Sequence, residues 1–237
     1  MKTAIRSMII ALIWLMISMP ALATPSTQIW NPSTDARTTG SLHIDIDNYF
    51  TLEGLLKGGT LYPTDYGLTY GLIPNIEIGI DAFNPVTSDY ALYTFNAKYG
   101  IAERSDMPAF AVGGMNLGSN VDAENKSSDQ NIFYGLIART FPIGRLTGGY
   151  YSGNDHVLIN SKGDISNTGF IFSWDKAITD KLWLAIDYAS GFSAYGSVFC
   201  GLSWLFSSNT SVILGYGAFN DSDISKPVVT TQIDINI

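Results

Sequence analysis

Alternation of apolar and polar side chains in residues 70–83 constrains the fold more than any other feature of this sequence. From Ile76 to Ile80 every second residue is isoleucine, which is the two-residue period of a strand with one apolar face. The segment before it alternates in the same way. Pro74 and Asn75 lie between the two runs and favour a tight turn, because proline presets φ and asparagine tolerates the second turn position. The sequence therefore predicts a β-hairpin whose apolar side faces either a protein core or lipid.

The same alternation, interrupted by turn residues, continues through most of the chain. Short connections alternate with longer polar ones, so the short turns gather at one end of the sheet and the loops at the other. An even number of antiparallel strands connected in this way is typical of bacterial outer-membrane barrels, and it places both termini at the periplasmic end. We predict about twelve strands, at residues 41–50, 60–71, 76–83, 90–101, 107–117, 131–140, 145–152, 167–175, 181–189, 195–206, 210–219 and 228–237.

The residues on each face distinguish a membrane barrel from a soluble β-protein, whose apolar face would turn inward. In 90–101 and 181–189 one face is apolar and the other mixes charged, small and aromatic residues. Many predicted strands have about the 9–11 residues that cross a bilayer. Aromatic residues near the ends of the apolar faces suit two interfacial girdles: Tyr99, Trp174 and Trp204 on the periplasmic side, and Phe50, Tyr93 and Tyr188 on the other. We therefore predict an all-β fold, a transmembrane antiparallel β-barrel, with a soluble β-protein as the alternative.

The N-terminus has the pattern of a secretory signal peptide. Lys2 and Arg6 precede a short apolar run that ends in small residues at Ala23. We predict a signal peptide at 1–23, an irregular N-terminal lead-in at 24–39, and an outer-membrane β-barrel at 40–237, located in the cell outer membrane. The chain has 21 acidic and 13 basic residues, and loss of Lys2 and Arg6 makes the remainder more acidic. Such a surface gives no reason to expect nucleic acid as a partner.

The chain resembles Gram-negative outer-membrane β-barrels of the porin-like kind over nearly all of its mature length. One face of the last predicted strand is similar to the C-terminal signal that the barrel-assembly machinery reads, although it ends in Ile237 where an aromatic residue is usual: Val229, Thr231, Ile233, Ile235 and Ile237. The hairpin at 70–81 is also similar to those of porin-like proteins of the phenol-degradation MetA type. The resemblance implies outer-membrane lipid and the barrel-assembly machinery as partners.

Charged residues on the second face of the strands are predicted to line the interior, because Lys or Arg facing lipid at the membrane midplane costs about 2–4 kcal/mol. The predicted pore-lining residues are His43, Asp45, Asp47, Glu77, Asp81, Lys98, Arg139, Asp175 and Asp187, and the same logic applies to Arg145 and Asp234. This lining fits a cation-leaning pore. It fits equally a salt-bridged interior that closes the barrel.

Signs of an enzyme are weak in this sequence. His43 with Asp45 and Asp47 resembles part of a metal or acid–base cluster, but residues two apart on a strand need not converge. We predict no catalytic residues, no metal and no cofactor. The predicted function is a passive channel for small solutes. The alternative is a closed structural or surface-interaction barrel whose loops, at 118–130 and 153–166, bind a partner.

Overall fold

Twelve strands form in the chain, and each begins and ends within four residues of its predicted limits. The computed structural model describes residues 26–51, 63–84, 92–118 and 129–237. Residues 1–25, which include the predicted signal peptide, lie outside this part, as do residues 52–62, 85–91 and 119–128, which cover predicted loop residues and the first residues of the predicted strands at 60–71 and 90–101. The strands are β1 (Leu42–Thr51), β2 (Thr64–Ile73), β3 (Ile76–Asn84), β4 (Leu92–Ile101), β5 (Ala109–Leu117), β6 (Ile132–Phe141), β7 (Gly144–Ser152), β8 (Thr168–Ala177), β9 (Leu182–Ala189), β10 (Ser197–Leu205), β11 (Thr210–Phe219) and β12 (Val228–Asn236).

The sheet closes on itself without an open edge. Each strand pairs antiparallel with its neighbours in sequence, and β1 pairs with β12 to complete the barrel. At the seam, Leu42 and Ile237 exchange two backbone hydrogen bonds of 2.8 Å. Closure satisfies the backbone groups of the edge strands, as a bilayer requires of any sheet that spans it.

The predicted hairpin at 70–83 is confirmed as β2 and β3. Asn75 has a φ of 69°, which is the left-handed conformation expected of asparagine at this turn position. The register shifts between Gly71 and Ile73, so the strand pair contains an irregularity next to the turn. Short turns join β2–β3, β4–β5, β6–β7, β8–β9 and β10–β11 at one end of the barrel, and both barrel termini lie at that same end.

The apolar faces of the strands point outward. Leu68, Tyr70, Ile78 and Phe95 are exposed on the outer surface, and Tyr93 has 60% of its surface accessible. Charged residues of the same strands point inward. This orientation confirms the transmembrane barrel and contradicts the soluble alternative, because a soluble barrel would bury these side chains. Within the described ranges, no helix is long and apolar enough to span a membrane.

Candidate functional site: the barrel lumen

Residues 26–37 lie inside the barrel, and residues 38–40 are exposed and lead from them toward β1; we call residues 26–40 the lumenal segment. Its first part is a small hairpin in which the Gln28 N–H donates to Asn31 O at 2.9 Å and the Ser33 N–H donates to Ser26 O at 3.2 Å. Its last residue, Gly40, has a positive φ of 83° and donates to Gly71 O at the short-turn end of β2. The sequence predicted an irregular lead-in here, but not that the lead-in enters the lumen from the periplasmic end.

Asp187 on β9 holds the tip of the lumenal segment. Its Oδ2 accepts the backbone N–H groups of Ile29, Trp30 and Asn31 at 2.9, 2.8 and 3.1 Å. The residue is 1% exposed, so these donors take the place of water around Oδ2. Three consecutive amides directed at one carboxylate fix the conformation of the tip.

The Trp30 ring packs in an aromatic cluster formed by lumenal residues of β10, β11 and β1. Its ring stacks on Phe199 with centroids 4.8 Å apart and meets Tyr49 and Phe219 edge-on at 5.7 and 5.9 Å. The indole N–H donates to the backbone oxygen of Tyr195 at 3.1 Å. Aromatic contacts of this geometry add to the burial of the ring, so the tip has both a polar and an apolar anchor.

An ion pair and hydrogen bonds from wall residues hold the remainder of the segment near the periplasmic end. Arg145 on β7 forms a bidentate contact with Asp35 and also donates to Thr34 Oγ1. Lys98 Nζ lies 2.9 Å from Glu77 Oε1 and 2.9 Å from Ser26 O. Lys98 and Arg145, two of the three Lys and Arg residues predicted to line the lumen, thus contact the segment.

The other side of the lumen carries a group of aspartates on four adjacent strands, which we call the acidic belt. In register, Asp45 is opposite Asp234 and Asp47 is opposite Asp65. Gly67 lies between Asp45 and Asp81 in the same row, and a side chain there would collide with the Asp45 carboxylate. The belt consists of Asp45, Asp47, Asp65, Asp81 and Asp234.

His43 is the basic neighbour of the belt. Its Nε2 lies 3.4 Å from Asp234 Oδ1 and 3.7 Å from Asp45 Oδ1. One oxygen each of Asp47 and Asp65 is buried without a hydrogen-bond partner in the protein. Among the residues that the structure describes, no group of three or more His, Cys, Asp or Glu side chains is arranged to hold a metal ion.

The predicted pore-lining residues share the inward face of their strands, except one: the structure places His43, Asp45, Asp47, Glu77, Asp81, Lys98, Asp175 and Asp187 there, as it does Arg145 and Asp234. The lumenal position predicted for Arg139 is wrong. Arg139 lies on the outward row of β6 near the periplasmic turn, where its Nε is 3.2 Å from Glu103 Oε1. So close to the membrane boundary an outward cation reaches water and a carboxylate, so lipid does not exclude it.

Asp65 belongs to the lumen although it was not among the predicted residues. It stands on β2 in the row opposite to Tyr66, Leu68 and Tyr70, whose side chains are exposed. This alternation is visible in the sequence and is the signal that could have found it.

Removing the buried Lys98 ammonium is expected to destabilise the barrel. Lys98 and Glu77 have side chains only 2% and 6% exposed, and breaking a buried pair costs about 3–5 kcal/mol because one charge stays unpaired. Urea unfolding, followed by the heat-dependent gel shift, should show this loss for Lys98→Met. Adding Glu77→Gln removes the stranded charge while keeping an acceptor for the Arg37 N–H, and should restore part of the loss. Equal stability of Lys98→Met and the wild type would contradict the pairing.

Comparison with known proteins identifies the fold and nothing finer. No protein-family model and no curated protein matches the sequence. Among solved structures, the chain is similar to that of the KdgM porin in complex with disordered oligogalacturonate, with 8% identity, 82% of this chain and 97% of that chain covered, and a TM-score of 0.51. A NanC porin structure has 11% identity, 81% and 98% coverage and a TM-score of 0.48. At 8% identity the likeness to the KdgM porin supports a shared β-barrel fold and nothing beyond the fold.

Proposed function

We propose that the protein is an outer-membrane channel for small solutes, with a preference for cations. The observation that carries the proposal is the acidic belt. The basic lumenal side chains Lys98 and Arg145 are paired with Glu77 and Asp35, whereas within the described residues the five carboxyl groups of the belt face two basic side chains, His43 and the buried Arg37. Carboxylates in excess over basic groups along a pore wall attract cations and repel anions.

The charge of the lumen argues against a polyanionic solute. The structure of the KdgM porin contains oligogalacturonate, which is an acidic oligosaccharide. Five aspartates on the wall of this barrel would repel such a chain, so we propose small solutes that are cations or zwitterions. The resemblance of the β2–β3 hairpin to the phenol-degradation MetA type remains a prediction.

We further propose that the described conformation is a closed state of the channel. The lumenal segment runs through the interior, and small polar residues along the wall are buried: Thr69, Thr94, Thr147, Ser173, Ser203 and Ser211. Solutes would pass when the segment moves away from the wall. The proposal includes no enzymatic activity and no cofactor. It retains outer-membrane lipid and, through β12, the barrel-assembly machinery as partners.

A permanently closed structural barrel is the second candidate. The buried segment and the ion pairs around it favour this alternative, since they occupy the interior and hold the segment against the wall. Partner binding would then fall to the extracellular loops. Of the two loops predicted for this role, the structure describes 153–166 in full, while residues 119–128 lie outside it. Conductance separates the two candidates, because a closed barrel passes no current.

Neutralising the acidic belt is expected to lower cation preference. The purified chain and Asp45→Asn/Asp47→Asn are placed in planar bilayers under a KCl gradient, and the reversal potential gives the permeability ratio of K⁺ to Cl⁻. We expect this ratio to fall toward one in the variant, since two carboxylates of the pore wall are lost. The control, Asp155→Asn/Asp223→Asn, removes two exposed loop carboxylates and should leave the ratio close to wild type.

Two outcomes would contradict the proposal. An unchanged ratio in Asp45→Asn/Asp47→Asn removes the belt from the selectivity of the pore. Absence of current, both from the intact chain and from one without its lumenal segment, favours the closed structural barrel.

A further inference from the structure

The outer surface of the barrel carries a depression of about 790 Å³ on strands β6–β9. We call it the outer groove. Most of its lining side chains belong to the lipid-facing rows, and the polar Asp106 and Arg139 lie at its periplasmic end. The apolar lining includes Ile137, Leu146, Phe172, Trp174, Ile186 and Tyr188.

Gly148 is the reason for the groove. In register it stands between Ile137 on β6 and Phe172 on β8, in a row where the other outward residues carry large side chains. A Cβ added at Gly148 would meet only carbons of the Phe172 ring, at 3.9 Å. The neighbours therefore do not fill the space that the missing side chain leaves. The gap opens on the lipid-facing surface of the barrel.

Arg139 gives the groove a charged end. Its guanidinium is held in place by Glu103 and by the backbone oxygens of Arg104 and Ser105, at 3.0 and 2.9 Å. An arginine has five N–H donors, so these contacts leave donors for another acceptor, and the side chain is 37% exposed. Phosphate is the acceptor that a fixed guanidinium at a membrane boundary suits best.

We propose that the outer groove binds one phospholipid of the periplasmic leaflet, with an acyl chain over Gly148 and the phosphate at Arg139. Three observations point to this occupant. The groove opens on the lipid-facing surface, its walls are apolar, and its one charged end lies at the level of the headgroups. Asp106 beside Arg139 complements the ammonium group of an ethanolamine headgroup. The inference stands on the outer surface and is independent of the channel proposal.

Filling the groove tests the proposal. Gly148→Leu, on β7, places a side chain in the gap. The control, Gly135→Leu, adds the same side chain at an outward position of β6, where no atom lies within 4 Å of the new Cβ. Each protein is extracted from the outer membrane in mild detergent and weighed by native mass spectrometry. We expect one retained phospholipid in the wild type and in Gly135→Leu, and roughly tenfold less in Gly148→Leu, because a filled groove loses its acyl contacts.

Three results would overturn the inference. The first is equal retention of phospholipid in both leucine variants, and the second is no retained phospholipid in the wild type. The third is a mass of two chains that Gly148→Leu alone abolishes. That result would assign the groove to a second copy of the barrel. All variants must first show the heat-dependent gel shift of a folded barrel.

The headgroup contact has its own test in Arg139→Gln. Wild-type protein stripped of lipid is offered equal amounts of a phosphatidylethanolamine and a diacylglycerol with identical chains. We expect the wild type to prefer the phospholipid roughly tenfold, since a charge-assisted hydrogen bond is lost with the diacylglycerol, and Arg139→Gln to show little preference. Equal preference in the two proteins would contradict the role of Arg139.

Discussion

Deleting residues 26–36 is expected to turn a barrel that opens rarely into one that conducts steadily in a planar bilayer. The twelve-strand ladder closes between β1 and β12 without any contribution from the lumenal segment, so the wall should persist when the segment is absent. The deletion keeps residues 37–40, which connect to β1. Its folding is checked by the heat-dependent gel shift. A folded deletion variant without current would contradict the gate and favour a permanently closed barrel.

A single substitution in the same segment should have a related effect. Trp30→Ala removes the ring that packs on Phe199 and Tyr49. Large-to-small changes of this kind lower the stability of a packed site by about 3–5 kcal/mol. Even at the lower limit, the ratio of open to closed barrels would rise roughly a hundredfold. Trp204→Ala is the matched control, because Trp204 is exposed on the outer surface and should leave the open time unchanged.

Replacing Asp187 with alanine is expected to release the tip of the segment while leaving the segment in the chain. The three backbone N–H groups that donate to Asp187 would lose their acceptor, and each buried donor left unpaired costs about 1–3 kcal/mol. Asp187→Asn keeps an acceptor oxygen without the charge, so its effect should be intermediate. Asp180→Ala is the control, because it removes a carboxylate from an exposed turn outside the lumen.

Thiol labelling reports the position of the tip directly. In a background with Cys200→Ser, Ile29→Cys places a thiol at a site that is 2% exposed and should react slowly with a water-soluble maleimide. The labelling rate should increase in the order wild type, Asp187→Asn and Asp187→Ala, and Asp180→Ala should match the wild type. Identical rates in all four proteins would mean that Asp187 does not hold the tip.

The strands could be predicted from the sequence because lipid imposes a simple rule on every second residue. Tyr93 and Phe95 point outward and Lys98 points inward, in agreement with the alternation. The rule weakens at the membrane boundary, where both faces reach water, and this is why Arg139 was assigned to the wrong face. Asp65 obeys the rule but was overlooked.

The lumenal segment could not be predicted from local pattern. Its contacts join residues far apart in the sequence, such as Ile29 and Asp187, which are 158 positions apart, and its own sequence has no strand or helix period. One indirect signal exists. Tyr49, Phe199 and Phe219 stand on lumenal rows, and a water-filled pore gives such rings nothing to pack against. An aromatic patch on the inner wall therefore indicates that another part of the chain covers it.

The position of the lumenal segment also constrains the order of assembly. The segment is the first described part of the chain, yet its tip is held by Asp187, Phe199, Phe219 and Gln232, which belong to β9–β12. It cannot reach its final place before the last strands have formed. A barrel whose seam closed early would have to admit the segment through its periplasmic mouth, past the linkage at Gly40. Docking of the N-terminus is therefore a late step, and it marks the completed barrel.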